Sequence, residues 1–228
     1  MDKPIIFLGP SIGLEKAKDI LDADYKPPAK KGDLLALLGL SDSKRVIGLI
    51  DGLFLQDFPP TPIEVYSILV RKNLTIVGGA SLGALRAVEL EKFGMIGVGK
   101  VFELFKNGII DADDEVAVTF DQTNHKVQSE AMIDIRFNLF IAQRNRIIDV
   151  DTKRALAKVA KDTYFPFRNY DYIIDESIKR YQIFEEQLEA FRNHIRNNKD
   201  SLKERDAIRT IKYIKSIYRS GLDESERP

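Results

Sequence analysis

The chain has 228 residues, with 35 Lys+Arg against 35 Asp+Glu, two histidines and no cysteine. The lack of cysteine excludes a thiolate nucleophile, a disulfide, an iron–sulfur cluster, a cysteine-ligated zinc and a persulfide carrier, and two histidines cannot build a three-histidine metal site. A formal net charge of zero argues against a nucleic-acid binder or an anionic-membrane binder, while 44% hydrophobic and 31% charged residues describe a globular chain with a real core.

In chain order, Ile5 to Leu8 is a continuous apolar run closed by Gly9-Pro10, which reads as a buried strand ending in a turn. It is too short for a secretory signal, and no apolar run approaches the roughly 20 residues of a membrane span, so the expected location is the cytoplasm. Val46 to Ile50 before Asp51-Gly52, and Leu74 to Val77 before Gly78-Gly79, repeat the pattern. Strands without polar alternation are buried on both faces, as in a parallel sheet sandwiched by helices. Between the last two, Thr61-Pro62-Ile63-Glu64 supplies an N-cap, a proline at the first helical position and a glutamate three residues after the cap, opening a helix to about Lys72.

Ser81 to Phe93 has helical spacing, with Gly94 as its C-cap, and a further helix spans about Lys100 to Lys106. Glu115 to Phe120 reads as a fourth strand, after which Ser129 caps a helix carrying Met132, Ile135, Leu139 and Phe140 on its apolar positions. Residues 1–148 are therefore expected to form a doubly wound, Rossmann-like α/β domain with a parallel sheet. Residues 149–228, with no glycine until Gly221, are expected to form a helical C-terminal appendage whose helices pack back, meet a partner or form a homo-oligomer.

Gly79-Ala80-Ser81-Leu82-Gly83 fits G-x-S-x-G and lies directly after a buried strand and before a helix, where a serine oxygen can project from the sheet edge toward the following N–H groups. Three readings are open: Ser81 as nucleophile, Ser81 as an N-cap in a tight turn, and an anion cradle at the helix N-terminus. His125, in the polar segment after the fourth strand, is the histidine placed to act as base; a lysine, a carboxylate or a water are the alternatives. Asp51 follows the second of the three clear strands, and Gly9 and Ser11 border the same edge as possible oxyanion donors. Arg136 shares a helical face with apolar residues and requires an anionic partner, for which Glu130 is a candidate; Arg86 raises the same question. The acidic run Asp111 to Glu115 is read as a surface turn rather than a cation site.

Taken together, Phe7-Leu8-Gly9-Pro10-Ser11, Pro27-Pro28-Ala29 with Gly32-Asp33-Leu34-Leu35, Leu49-Ile50-Asp51-Gly52, Gly79 to Ala87, Phe93 to Gly99, Asp113 to Ala117, and Ser129-Glu130 with Ile135-Arg136 resemble the TfuA-like family over roughly residues 5–138. Leu82 stands where the family commonly has methionine. The resemblance implies a partner of YcaO-type enzymes in backbone thioamidation, of ribosomally made peptides or of methyl-coenzyme M reductase. YcaO proteins use ATP to phosphorylate an amide oxygen, which a sulfur nucleophile displaces. The resemblance further implies hydrolysis of a thiocarboxylated, ubiquitin-like sulfur carrier to release sulfide, with no cofactor and no metal in this chain. Ser81 would attack the thiocarboxylate carbonyl, and the Leu82 N–H, with Gly83 beside it, would hold the oxyanion. Asp51, Glu130 and Arg136 would line or support the site. A non-catalytic module that docks on YcaO, activates it or recruits its peptide or protein substrate is the alternative.

Overall fold

The computed structural model describes residues 1–39, 43–53, 58–121, 123, 126–181 and 183–225. Five strands, β1 (Ile5–Phe7), β2 (Asp24–Lys26), β3 (Arg45–Leu49), β4 (Leu74–Gly79) and β5 (Ile96–Val98), form one all-parallel sheet in the order β2-β1-β3-β4-β5. The three apolar runs become the central strands β1, β3 and β4, buried as such runs must be. The chain is an α/β protein with a Rossmann-like parallel sheet and appended C-terminal helices.

Helices α1 (Leu14–Ile20), α2 (Pro62–Leu69) and α3 (Leu82–Leu90) connect strands, and α4 (Lys100–Lys106) follows β5. Thr61 caps α2 by accepting the Glu64 N–H at 3.2 Å, as its spacing predicts. The Glu64 side chain, however, reaches away from that cap. Its Oε1 accepts the N–H groups of Gly32, Leu34 and Leu35 at 2.9, 3.0 and 3.4 Å and pins the loop after β2. Gly94 ends the helical stretch at φ +102°, which a residue without a Cβ adopts freely.

The chain folds as two compact units whose boundaries differ from a single division at residue 148. One comprises Met1–Asp111 together with the segment from Lys203, and the other comprises Ala112–Leu202. The reason lies in the last helix, α9 (Leu202–Ser225). Its apolar residues Ala207, Ile211 and Ile214 are fully buried in one cluster with Ile6, Val46, Ile50 and Val77 of the sheet. A Cβ on Gly48 would stand 2.6 Å from Ile214 Cδ1, so the missing side chain of a central strand is what lets α9 lie against the sheet. Of the alternatives left open for the C-terminal helices, α9 takes the one in which a helix packs back: its apolar stripe is buried within its own unit. Asp206 on the same helix accepts the Val101 N–H at 2.6 Å at the start of α4, and burial pushes its carboxyl above the ordinary value.

The second unit is built from α5 (Met132–Arg144), α6 (Val150–Asp162), α7 (Tyr170–Arg180) and α8 (Glu185–Asn198). These helices bury Met132, Leu139, Leu156, Ile174, Leu188 and Phe191 against one another. The expected fourth strand is absent: Asp113–Glu115 is a 3₁₀ turn, and Phe120 forms an isolated bridge to Val127. Val116, Ala117 and Phe120 are buried as an apolar run requires. Their backbone partners are local, with Val116 N–H bonded to Asp113 O and Thr119 N–H bonded to the Ser129 hydroxyl at 2.8 Å. That second bond also removes Ser129 from its expected role, since Ala131 stands at the N-cap of α5 without a side-chain bond. Phe140, expected on the apolar face, is about half exposed.

The end of α5 is unusual. Arg146 N–H bonds to Gln143 O at 3.0 Å and Ile147 N–H to Ala142 O at 2.9 Å, the two reversed bonds that close a helix through a left-handed residue. That residue is normally glycine; here it is Arg146, at φ +59°, a conformation costing an L-residue roughly 1–2 kcal/mol. Among the described residues no helix is long and apolar enough to cross a membrane.

Candidate active site

The C-terminal edge of the parallel sheet gathers the loops after β1, β3 and β4, and three glycines set how closely they approach. A Cβ on Gly83 would lie 1.7 Å from Leu49 O, and one on Gly78 would lie 2.2 Å from Gly83 O, so the first turn of α3 is pressed onto the ends of β3 and β4. Gly52 meets the Leu82 side chain, with a Cβ there lying 2.0 Å from Leu82 Cδ2. The Asp51-Gly52 loop and the start of α3 are therefore in contact.

Between β4 and α3 the backbone turns within three residues. Ser81 N–H bonds back to Gly79 O at 2.8 Å around Ala80, whose φ is +63°. This is a γ-turn of the rare, strained, positive-φ kind. The strain sits on Ala80, one residue before the serine. Ser81 itself (φ −130°, ψ −124°) has the N-cap position, and its carbonyl accepts the Ala84 N–H at 2.9 Å. Its side chain makes no capping bond and is nearly buried, at 2% exposure. The pure capping account thus lacks the side-chain bond that defines it. Among the described residues no histidine, lysine or carboxylate is hydrogen-bonded to the Ser81 hydroxyl.

Of the expected oxyanion donors, only the Leu82 N–H meets no acceptor among the described residues. The Gly83 N–H is committed to Ile50 O at 3.2 Å. Gly9 and Ser11 are committed as well, and to Asp51. Asp51 Oδ2 accepts the Gly9 N–H at 2.9 Å and the Ser11 N–H at 3.1 Å, while Oδ1 accepts the Ser11 hydroxyl at 2.6 Å. Asp51 is 1% exposed, so this carboxylate is a buried anion held by three donors that clamp the first loop to the end of β3. Ala29 extends the clamp, since its N–H bonds to Asp51 O at 2.9 Å while its own carbonyl accepts the Leu53 N–H at 3.0 Å. Pro28 packs at the position a Gly9 Cβ would fill.

Arg86, on α3, donates to Pro60 O at 2.8 Å and to both carboxylate oxygens of Glu89 at 3.0 and 2.8 Å, so its guanidinium has a structural partner. Glu130 and Arg136 belong to the second unit. Glu130 receives Lys199 Nζ at 2.7 Å. Arg136 pairs not with Glu130 but with buried Glu115, at 2.8 and 2.9 Å, and that bidentate bond holds its guanidinium above the ordinary value. Lys161 reaches both Glu115, at 3.1 Å, and Asp114, at 2.6 Å, and fully buried Arg168 completes the network on Asp114. The acidic run is thus an ion-pair network whose basic members come from three later segments. His125 lies outside the described residues.

Sequence reasoning missed Asp51's role as a loop clamp, the Glu115 partnership and the buried Arg168. The Leu49-Ile50-Asp51 pattern carries the first signal, because an aspartate at the end of a fully apolar strand needs donors close by. The family model for TfuA-like proteins matches residues 51–169, just over half the chain and inclusive of Asp51, Ser81, Glu115, Arg136 and Arg168. The chain matches no curated protein. With the strained turn and the Asp51 clamp lying where the motif blocks put them, the chain belongs to the TfuA-like family.

Proposed function

We propose that the protein is an accessory factor for YcaO-dependent backbone thioamidation that hydrolyses a thiocarboxylated sulfur-carrier protein through Ser81. Membership of the TfuA-like family supports a role associated with thioamidation and with YcaO-type partners in general. The observation that carries the hydrolytic part is the γ-turn at Ala80. It costs backbone strain, leaves the Ser81 side chain out of the capping bond, and sets it beside an uncommitted Leu82 N–H at a helix start.

In this reading the Ser81 oxygen adds to the thiocarboxylate carbon and the C–S bond breaks. The departing sulfur takes the proton that left the serine. Water then splits the acyl-serine ester, returning the hydroxyl and leaving a carboxylate, so one thiocarboxylate and one water give one carboxylate and one hydrogen sulfide. The Leu82 N–H stabilises the tetrahedral oxyanion. Asp51 acts through the first loop rather than on substrate, because its three donors keep both oxygens occupied.

A fluorophosphonate probe tests the nucleophile: labelling of the wild type that disappears in Ser81→Ala supports it. Reconstituted thioamidation with free sulfide and, separately, with a thiocarboxylated carrier tests the role. Ser81→Ala is expected to fail only with the carrier, and wild-type rates with both sulfur sources would overturn the proposal. A second reading, a module that docks on YcaO and activates it or recruits its substrate without chemistry, is favoured by one observation. No described base is bonded to Ser81, and it predicts that the variant supports both reactions.

A further inference from the structure

A cleft of about 900 Å³ opens within the second unit, between the turn joining α5 to α6 and one face of α8. Glu186, Ala190, Asn193 and Asn197 recur along it at helical spacing, so the cleft follows α8 for about 16.5 Å, at 1.5 Å per residue. Three features of its lining have no internal use. Arg146 holds a left-handed backbone position that glycine fills without strain, yet its guanidinium has no ion-pair partner among the described residues. His194 lines the cleft with an Nε2 that is closed to solvent and has no hydrogen-bond partner. Such a nitrogen costs the folded protein stability. Gln143 gives its oxygen to Lys153 at 2.9 Å, which leaves its amide N–H₂ to the cleft, and exposed Asn193 and Asn198 add further amides.

We propose that this cleft binds the C-terminal end of an extended peptide chain, with the α-carboxylate on Arg146 and the peptide groups on the amide side chains. Asparagine and glutamine amides carry the same paired donor and acceptor as a peptide group, and a guanidinium meets a carboxylate through two parallel bonds. The length agrees, because about five extended residues at 3.3 Å each fill the groove. Charge sets the ligand's class. Asp149 and Glu186 also line the cleft, so its charged lining sums to one negative charge; a single carboxylate is held there by the paired bonds of the Arg146 guanidinium rather than by net charge, and a polyphosphate is repelled. Asp149 is further held in place by reciprocal bonds with Gln187, both at 2.8 Å. The inference rests on the second unit alone and does not depend on Ser81.

The test uses the full chain and fluorescein-labelled random pentapeptides, each made with a free C-terminal carboxylate and as the carboxamide, read by anisotropy. Carboxylate peptides are expected to bind at least tenfold more tightly than their carboxamides. Arg146→Gly is expected to weaken them at least tenfold while raising Tm, because glycine suits the turn; Arg146→Lys is expected to fall between. A rise in Tm with lost binding separates a recognition role from a folding role. Absence of binding by any peptide, parity of acid and amide, unchanged binding by Arg146→Gly, or displacement by tripolyphosphate at peptide-like concentrations would each overturn the proposal. The assay reads binding without turnover, so its failure leaves the Ser81 reaction to its own test.

Discussion

Replacing Asp51 separates a structural anion from a chemical one. In Asp51→Ala the Gly9 and Ser11 N–H groups lose their only described acceptor at a site that is 1% exposed. The Ser11 hydroxyl can rotate to a new partner, so the count rests on the two backbone donors. At about 1–3 kcal/mol for each buried unsatisfied donor, the expected loss is about 2–6 kcal/mol. Asp51→Asn behaves differently. With its amide oxygen in the place of Oδ2, the new N–H₂ group donates to the Ser11 oxygen, which accepts as readily as it donates. Only charge assistance is lost, about 1–2 kcal/mol over the two backbone bonds. Urea unfolding at pH 7, with unchanged slopes, measures both. Fluorophosphonate labelling of Ser81 in Asp51→Asn is expected to stay within about threefold of wild type, because the clamp persists. A stability for Asp51→Ala within about 0.5 kcal/mol of wild type would refute the clamp, and loss of labelling in a stable Asp51→Asn would make Asp51 a participant in the chemistry.

Gly83→Ala drives a methyl group into the Leu49 carbonyl and is expected to cost about 3 kcal/mol in denaturant unfolding. Gly13→Ala, with nothing within 4 Å, is expected to stay within about 0.5 kcal/mol. Ile214→Ala is expected to cost about 2–5 kcal/mol, because Ile214 is buried against the sheet; a change under about 0.5 kcal/mol would refute that packing of α9. Asp114 is partly desolvated, which raises its pKa, but the bonds from Lys161 and Arg168 outweigh that and hold it below the ordinary value of 3.8. Its contribution to stability is therefore present above about pH 3.8 and is lost as pH falls through the depressed value. Asp114→Asn is expected to destabilise at pH 7 and to converge on wild type as pH falls through the depressed value, as read by unfolding midpoints across the acid range.

The central strands were legible because burial on both faces leaves an unbroken apolar run, and each such run is closed by glycine or by Asp51-Gly52. The edge strands β2 and β5 were not, since Asp24-Tyr25-Lys26 is partly exposed and three residues long, and its strand state comes from the partner β1 rather than from its own composition. The same limit works in reverse at Val116 to Phe120, where burial without a neighbouring ladder gives no strand. In α9 the amphipathic spacing was visible, but what its apolar face meets depends on Gly48, more than 150 positions earlier in the chain. At the candidate site, the strand–Ser–helix context of Ser81 could be read directly. The Gly9–Ser11–Asp51 and Glu115–Arg136 partnerships join residues 40 to 42 and 21 positions apart, which no local pattern encodes.

The arrangement of α9 also orders the birth of the protein. The unit Ala112–Leu202 is one uninterrupted stretch and can close its helical core as soon as it leaves the ribosome, whereas the sheet unit needs residues made more than one hundred positions after β5. Until Ala207, Ile211 and Ile214 emerge, Ile6, Val46, Ile50 and Val77 wait on a bare sheet face. The later-born unit therefore matures first, and the half-covered sheet is the species a holdase chaperone would meet during synthesis.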